Sequence, residues 1–210
     1  MMNDRDHCST SKSLKTKRKK MTLRIYLMRH GETEWALSGR HTGRVDIPLT
    51  ANGEDEARQL GERLRSIPFQ HVLVSPLKRA RQTCELAGCG ENADVDADLA
   101  EWDNGDYEGQ THADVFKHRP DWNLFRDGSP GGEMPNEISE RADRLIDRLK
   151  KLDGNVALFS HSHFGRVLGA RWIGSPVQMG QHLILNTASL SVLCYQHENM
   201  NLPAIETWNS

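Results

Sequence analysis

Absent from this 210-residue sequence is any apolar run approaching the roughly eighteen residues that a membrane-spanning helix requires, so no membrane partner is expected. The N-terminus lacks the apolar centre of a secretory signal. Cysteine is sparse: Cys8, Cys84, Cys89 and Cys194 show no paired spacing of the zinc type and read as reduced thiols, which suits a cytoplasmic protein. No internal repeat is present, so nothing points to a repeat architecture. What the chain does have is 37% apolar residues over a length that can bury one core, and a single folded unit is expected without staples.

A formal net charge of -2 conceals a split. Residues 1–20 carry Arg5, Lys12, Lys15, Lys17, Arg18, Lys19 and Lys20 against Asp4 and Asp6, a net of +5, so residues 21–210 carry -7. A basic, Ser/Thr-rich stretch with so few large apolar side chains cannot offset the entropy of ordering it, and a disordered extension is expected over 1–20. "KTKRKK" could serve nucleic acid or targeting, but a solvated tail is the plainer reading and no nucleic-acid partner is expected. The folded unit is expected over 21–210.

From Thr22 strands and helices alternate, the pattern of an α/β domain with a largely parallel sheet. Strands are expected at 23–28, 71–76 and 155–160, with closing strands at 190–196 and 204–208 joined as a hairpin through "HENMNLP". Thr50 is a plausible N-cap, and Ala57, Leu60, Leu64 and Ile67 recur at helical spacing behind it. Residues 77–87 form the next helix. Ile138, Ala142, Leu145, Ile146 and Leu149 then mark an amphipathic helix, and another begins near Phe164.

Arg29-His30, Ser75 with Arg79, and His161 each follow a strand. In open α/β sheets the ligand crevice lies beyond the carboxyl ends of the strands, so these groups could converge. Guanidinium forks fit phosphate oxygens, and two of them with two imidazoles suit phosphoryl chemistry. One neutral histidine could attack phosphorus while the other stabilises developing charge. Glu101, Asp103, Asp106 and Glu108 in "LAEWDNGDYEG" are candidate proton donors. A metal reading of His161 and His163 with His30 and Glu101 is disfavoured, because two guanidiniums sit badly beside a divalent cation; no metal and no cofactor are expected. Trp102, Trp122, Trp172 and Cys84 read as packing residues.

"RHGETEW", "SPLKRARQT", "LAEWDNGDYEG" and "FSHSHFGRVL", in that order, resemble the signature segments of the histidine phosphatase superfamily, which includes cofactor-dependent phosphoglycerate mutases and many phosphohydrolases. The resemblance spans essentially everything from Thr22 onward. It implies a three-layer α/β/α fold with a mostly parallel mixed sheet, and a metal-independent phosphomonoesterase acting through a phosphohistidine. His30 would be the nucleophile, Arg29 and Arg79 the phosphate clamp, His161 a charge stabiliser and Glu101 the proton donor and acceptor. Thr42 and Gly43 would lie over the substrate, and Ser162 and His163 would offer backbone amides to phosphate. Ala36 stands where the mutases commonly carry an asparagine, and "HADVFKHRPDWNLFRDGSPGGE" lacks their Arg-Arg pair. Both departures favour hydrolysis over a mutase, and a non-catalytic binder of phosphorylated metabolites is the third possibility. "HTGRVDIPLTANGE" and "WNLFRDGSPGGE" are similar to the fungal sedoheptulose-1,7-bisphosphatase branch, which implies a sugar phosphate or bisphosphate and contacts from Arg40, His41 and Arg44 to a second phosphate. Homo-oligomerisation is left open.

Overall fold

Four strands of this chain are followed by helices whose apolar stripes need a surface to cover, and the result is one six-stranded sheet with helices on both faces. The computed structural model describes residues 21–210; the basic segment 1–20, with its expected disorder, lies outside the described residues. In chain order the elements are β1 (Arg24–Arg29), α1 (Glu34–Leu37), α2 (Ala51–Leu64), β2 (His71–Val74), α3 (Lys78–Leu86) and β3 (Ala93–Val95). They continue with α4 (His112–Phe116), α5 (Leu124–Asp127), α6 (Pro135–Leu149), β4 (Asn155–Ser160), α7 (Ser162–Trp172), β5 (Leu190–Tyr195) and β6 (Pro203–Thr207). Strand order is β3-β2-β4-β1-β5-β6. The first four of these run parallel, while β5 is antiparallel to both β1 and β6.

Side-chain alternation divides the core. Ile25, Leu27, Val156 and Leu158 face one cluster, where α6 contributes Ile138, Leu145 and Leu149 and α7 contributes Phe164, Val167 and Leu168. Met28, Ala157 and Phe159 face the other, with Leu60 and Leu64 of α2 and Ala80 and Cys84 of α3. Each fully buried leucine or phenylalanine here contributes about 1.5–3 kcal/mol. The expected three-layer arrangement is therefore present, and β4, buried from Val156 to Ser160, is its central strand.

Local chemistry sets the boundaries. Thr50 Oγ1 accepts from the Gly53 amide at 3.0 Å, the N-cap expected for α2. Pro135 opens α6, where its missing N–H leaves nothing unsatisfied. α7 begins at Ser162 rather than near Phe164, because His161 keeps an extended backbone and acts as its N-cap residue. The short elements β3, α1, α4 and α5 escape sequence reading, since three to five residues carry too little periodicity. Among the described residues, no helix is long and apolar enough to cross a membrane.

The strand order places β4 between β2 and β1. Their carboxyl ends are stitched together: the His30 amide donates to the Ser160 carbonyl and the Ser75 amide to the Phe159 carbonyl, both at 3.0 Å. Arg29, His30, Ser75 and His161 thus meet at one sheet edge.

Candidate active site

β1 delivers Arg29 and His30, and the chain must then turn at once beneath α2. A Cβ at Gly31 would stand 2.3 Å from the Gly53 carbonyl oxygen, so only glycine fits after this histidine. The His30 ring is nearly buried, and its Nδ1 lies 2.7 Å from the Gly31 carbonyl oxygen. A carbonyl can only accept, so Nδ1 carries the proton and Nε2 keeps its lone pair. Burial, with Arg79 and Arg29 nearby, holds the His30 pKa well below its ordinary value. At neutral pH the ring is an uncharged imidazole.

His30 lines a cleft of 220 Å³ together with Arg29, Thr42, Glu101, Ser162 and His163. Trp35, Ala36, Arg40 and His41 complete much of its wall. His161 and Arg79 are fully buried beside it. The His161 and His30 ring centroids are 5.2 Å apart. His161 Nε2 lies 2.7 Å from Ser75 Oγ, whose oxygen also accepts from the Leu77 amide at 3.3 Å. Burial first, then Arg79, lowers the His161 pKa as well.

Arg79 donates from Nη1 to the Val45 carbonyl and from Nη2 to the Gly43 carbonyl, each at 3.0 Å. Its pKa is lowered to about 10 by burial, so it stays charged at neutral pH. Arg29 Nη1 donates to the Leu185 carbonyl at 2.6 Å. Arg29 Nε, Arg79 Nε and His161 Nδ1 are three of the eight buried side-chain nitrogens and oxygens that lack a partner among the described residues. Buried polar atoms are ordinarily paired, and three unpaired nitrogens around His30 suit a ligand that the protein does not itself supply.

Glu101 reaches the cleft from the loop after β3 and is almost fully buried. Its Oε1 accepts from the Trp102 and Phe164 amides, both at 2.8 Å, and its Oε2 accepts from the His163 amide at 3.1 Å. The carboxylate therefore sits on the positive end of α7. This changes the expectation for His163, whose amide is committed to Glu101 rather than left for phosphate. Gly43 does not line the cleft: its carbonyl anchors Arg79, its amide donates to Glu108 Oε1 at 2.8 Å, and a Cβ would stand 2.8 Å from the Asn104 nitrogen. Thr42 does line it.

The other acids have separate employment. Glu108 Oε1 also accepts from the Val45 amide at 2.6 Å, Asp103 Oδ1 accepts from the Gly105 amide at 3.0 Å, and Asp103 pairs with Arg44. Trp102, Trp172 and Cys84 pack in the core as expected, whereas Trp122, though buried, also lines a neighbouring cavity. No group of three or more His, Cys, Asp or Glu side chains among the described residues is placed to hold a metal ion.

A family model of the histidine phosphatase superfamily (branch 1) matches residues 25–210. The chain belongs to the histidine phosphatase superfamily. An acid phosphatase of Mycobacterium tuberculosis is 36% identical, the match covering 83% of this chain and 87% of the relative. The sedoheptulose 1,7-bisphosphatase of Saccharomyces cerevisiae is 31% identical, over 89% of this chain and 92% of that protein. Among solved structures, that of the Mycobacterium tuberculosis open reading frame Rv3214 aligns with a TM-score of 0.83 at 34% identity, covering 89% of this chain and 96% of the other. Family membership accounts for the shared sheet and for the order of the four motif segments along it.

One residue that sequence reading missed is Arg141 of α6. Its Nε and Nη2 pair with Glu133 at 2.8 and 2.6 Å, and its Nη1 donates to the Asp98 and Ala100 carbonyls at 2.9 and 2.7 Å. The signal was a cation inside the apolar stripe of α6, between Ile138 and Ala142. By pinning residues 98–100 it positions Glu101. Arg141→Met should destabilise the fold by about 3 kcal/mol, because the largely buried Glu133 loses its partner and the Asp98 and Ala100 carbonyls lose their donor. Urea unfolding of the variant checks this; a change below about 1 kcal/mol would show that the pair is not structural.

Proposed function

We propose that this protein is a metal-independent phosphomonoesterase that hydrolyses a small phosphorylated metabolite, a sugar phosphate or bisphosphate, through a phosphohistidine on His30. The observation that carries the reading is the neutral, oriented His30 ring, with Nδ1 tied to Gly31 and no hydrogen bond on Nε2 among the described residues, beside unpaired guanidinium nitrogens of Arg29 and Arg79. Nε2 attacks phosphorus and the bond to the leaving oxygen breaks, its electron pair going to that oxygen, which takes a proton from protonated Glu101. Glu101, now a carboxylate, removes a proton from water as the water oxygen attacks phosphorus. The P–N bond breaks, its electrons return to Nε2, and inorganic phosphate leaves.

Arg29, Arg79 and His161 stabilise the charge that accumulates on the phosphoryl oxygens in both steps. Two permanent cations in place make a metal ion unnecessary for that purpose. Thr42 and Ser162 line the cleft where substrate would bind. Ala36 contributes only a methyl group to the same wall, which supports loss of phosphate to water over retention of a phosphoglycerate for a second transfer. The name of the yeast relative supports a sugar bisphosphate. Free thiols at Cys84, Cys89 and Cys194 support a cytoplasmic location.

Incubation with 3-phosphoglycerate and a trace of 2,3-bisphosphoglycerate, alongside a panel of sugar phosphates, is expected to yield inorganic phosphate. Rapid interconversion of 2- and 3-phosphoglycerate without phosphate release would make the protein a mutase. No release from any substrate and no trapped phosphoenzyme would make it a binding module.

A further inference from the structure

A second cavity adjoins the cleft at His41 and His163. Its volume is 380 Å³, and its walls include His112, Trp122, Phe125 and Arg166. Arg166 of α7 donates from Nε to the Gly180 carbonyl and from Nη2 to the Gln181 carbonyl, both at 2.9 Å. Its guanidinium lies 4.6 Å from the Phe125 ring centroid, and it forms no ion pair among the described residues. The cations expected to meet a second phosphate are differently engaged. Arg40 donates to the Gly109 carbonyl at 2.8 Å, and Arg44 lies 3.6 Å from Asp103 and lines neither cavity. Of these three arginines only Arg166 lines the second cavity.

The imidazoles add donors without added charge. The His41 ring stands 5.3 Å from Trp122, 6.1 Å from His112 and 6.3 Å from His163, and its Nε2 is buried without a partner. Burial, with His112 nearby, brings the His41 pKa down to about 4, and burial with Arg166 nearby depresses that of His163. Both rings are therefore neutral at pH 7. Among the described residues these histidines are not placed to share a metal ion. A guanidinium without an ion-pair partner among the described residues and an unpaired imidazole nitrogen, in a wall shared with Trp122, suit an anionic oxygen group carried on a compact carbon skeleton.

We infer that this second cavity is the leaving-group subsite and that it selects substrates bearing a second anionic group, a phosphate or a carboxylate, held by Arg166, His41 and His112. The inference rests on the phosphatase reading for its direction, because the group bound here departs with the alcohol. It gives the enzyme a preference that the phosphoryl clamp alone cannot supply.

Two matched substrate pairs test it: fructose 1,6-bisphosphate against fructose 6-phosphate, and 3-phosphoglycerate against glycerol 3-phosphate. In each pair one member lacks the second anion. The wild-type enzyme should favour the doubly anionic member of at least one pair in kcat/KM. His112→Gln and Arg166→Gln should each reduce that preference, Arg166→Gln by about tenfold or more, the equivalent of one charge-assisted hydrogen bond. Loss confined to the first pair identifies phosphate, and loss confined to the second identifies carboxylate. His112 is exposed and makes no hydrogen bond among the described residues, so its variant separates the subsite from any folding defect of the Arg166 change. A preference unchanged in both variants, or absent from the wild type, would overturn the subsite.

Calorimetric titration of the full chain with the same four compounds distinguishes the two possible failures. Tighter binding of the doubly anionic members, weakened in His112→Gln, without any turnover would sink the phosphatase reading and keep the subsite. Turnover and binding without such preference would do the reverse.

Discussion

His30→Ala should lower phosphate release by at least about 10⁴-fold and abolish the acid-labile, base-stable phosphoenzyme, as expected for loss of a covalent nucleophile. Only His30 among the paired rings is prepared for attack. Its Nδ1 is held by the Gly31 carbonyl, and the residue lines the cleft, whereas His161 is fully buried with Nε2 engaged by Ser75 Oγ. Rapid quenching with radiolabelled substrate measures the covalent species directly. Because both imidazoles lie near Arg29 and Arg79, removing either also alters charge stabilisation, so a rate loss alone would be ambiguous. The label resolves it: it should vanish in His30→Ala and persist, at reduced turnover, in His161→Ala. Normal turnover or labelling of the His30 variant would defeat the mechanism.

Glu101→Gln is expected to slow alkyl phosphates by about 10²–10⁴-fold while aryl phosphates, whose leaving oxygen needs little protonation, change by less than about tenfold. The structure makes this substitution informative but imperfect. A glutamine oxygen can keep the two amide contacts of Oε1, from Trp102 and Phe164, while its NH₂ group then faces the His163 amide donor. Some loss of stability is therefore expected alongside the catalytic effect. Leaving-group dependence separates them, since a misplaced α7 would affect both substrate classes alike. Equal loss on alkyl and aryl phosphates would make Glu101 a helix cap rather than a proton donor.

Much of the site can be read from residues at strand ends. Arg29 ends one strand and His30, Ser75 and His161 follow three strands that are adjacent in the sheet, and a parallel α/β pattern brings such ends together. The glycine after His30 is legible in the motif, although its cause, the approach of Gly53, is not. Glu101 stood among four acids that spacing alone could not rank. Burial against α7 distinguishes it: Glu108 serves the Gly43 and Val45 amides, and Asp103 serves Gly105 and Arg44. Gly43 likewise reads from sequence as a substrate contact, and only the structure reveals that its carbonyl also anchors Arg79.

The sequence by itself determined the layered α/β architecture, the alternating faces of β1 and β4, the amphipathic stripe of α6 and the residue types able to handle a phosphoryl group. These follow from local periodicity and from chemistry carried by single side chains. Tertiary structure alone decided which partners those side chains keep. Ser75 reaches His161 across 86 residues, the Phe164 amide reaches Glu101 across 63, and Arg141 holds the chain just before Glu101 from a helix some 40 residues away. A hydrogen bond spans about 3 Å in space and leaves no period in the chain, so only the packed sheet and its helices could select these pairs.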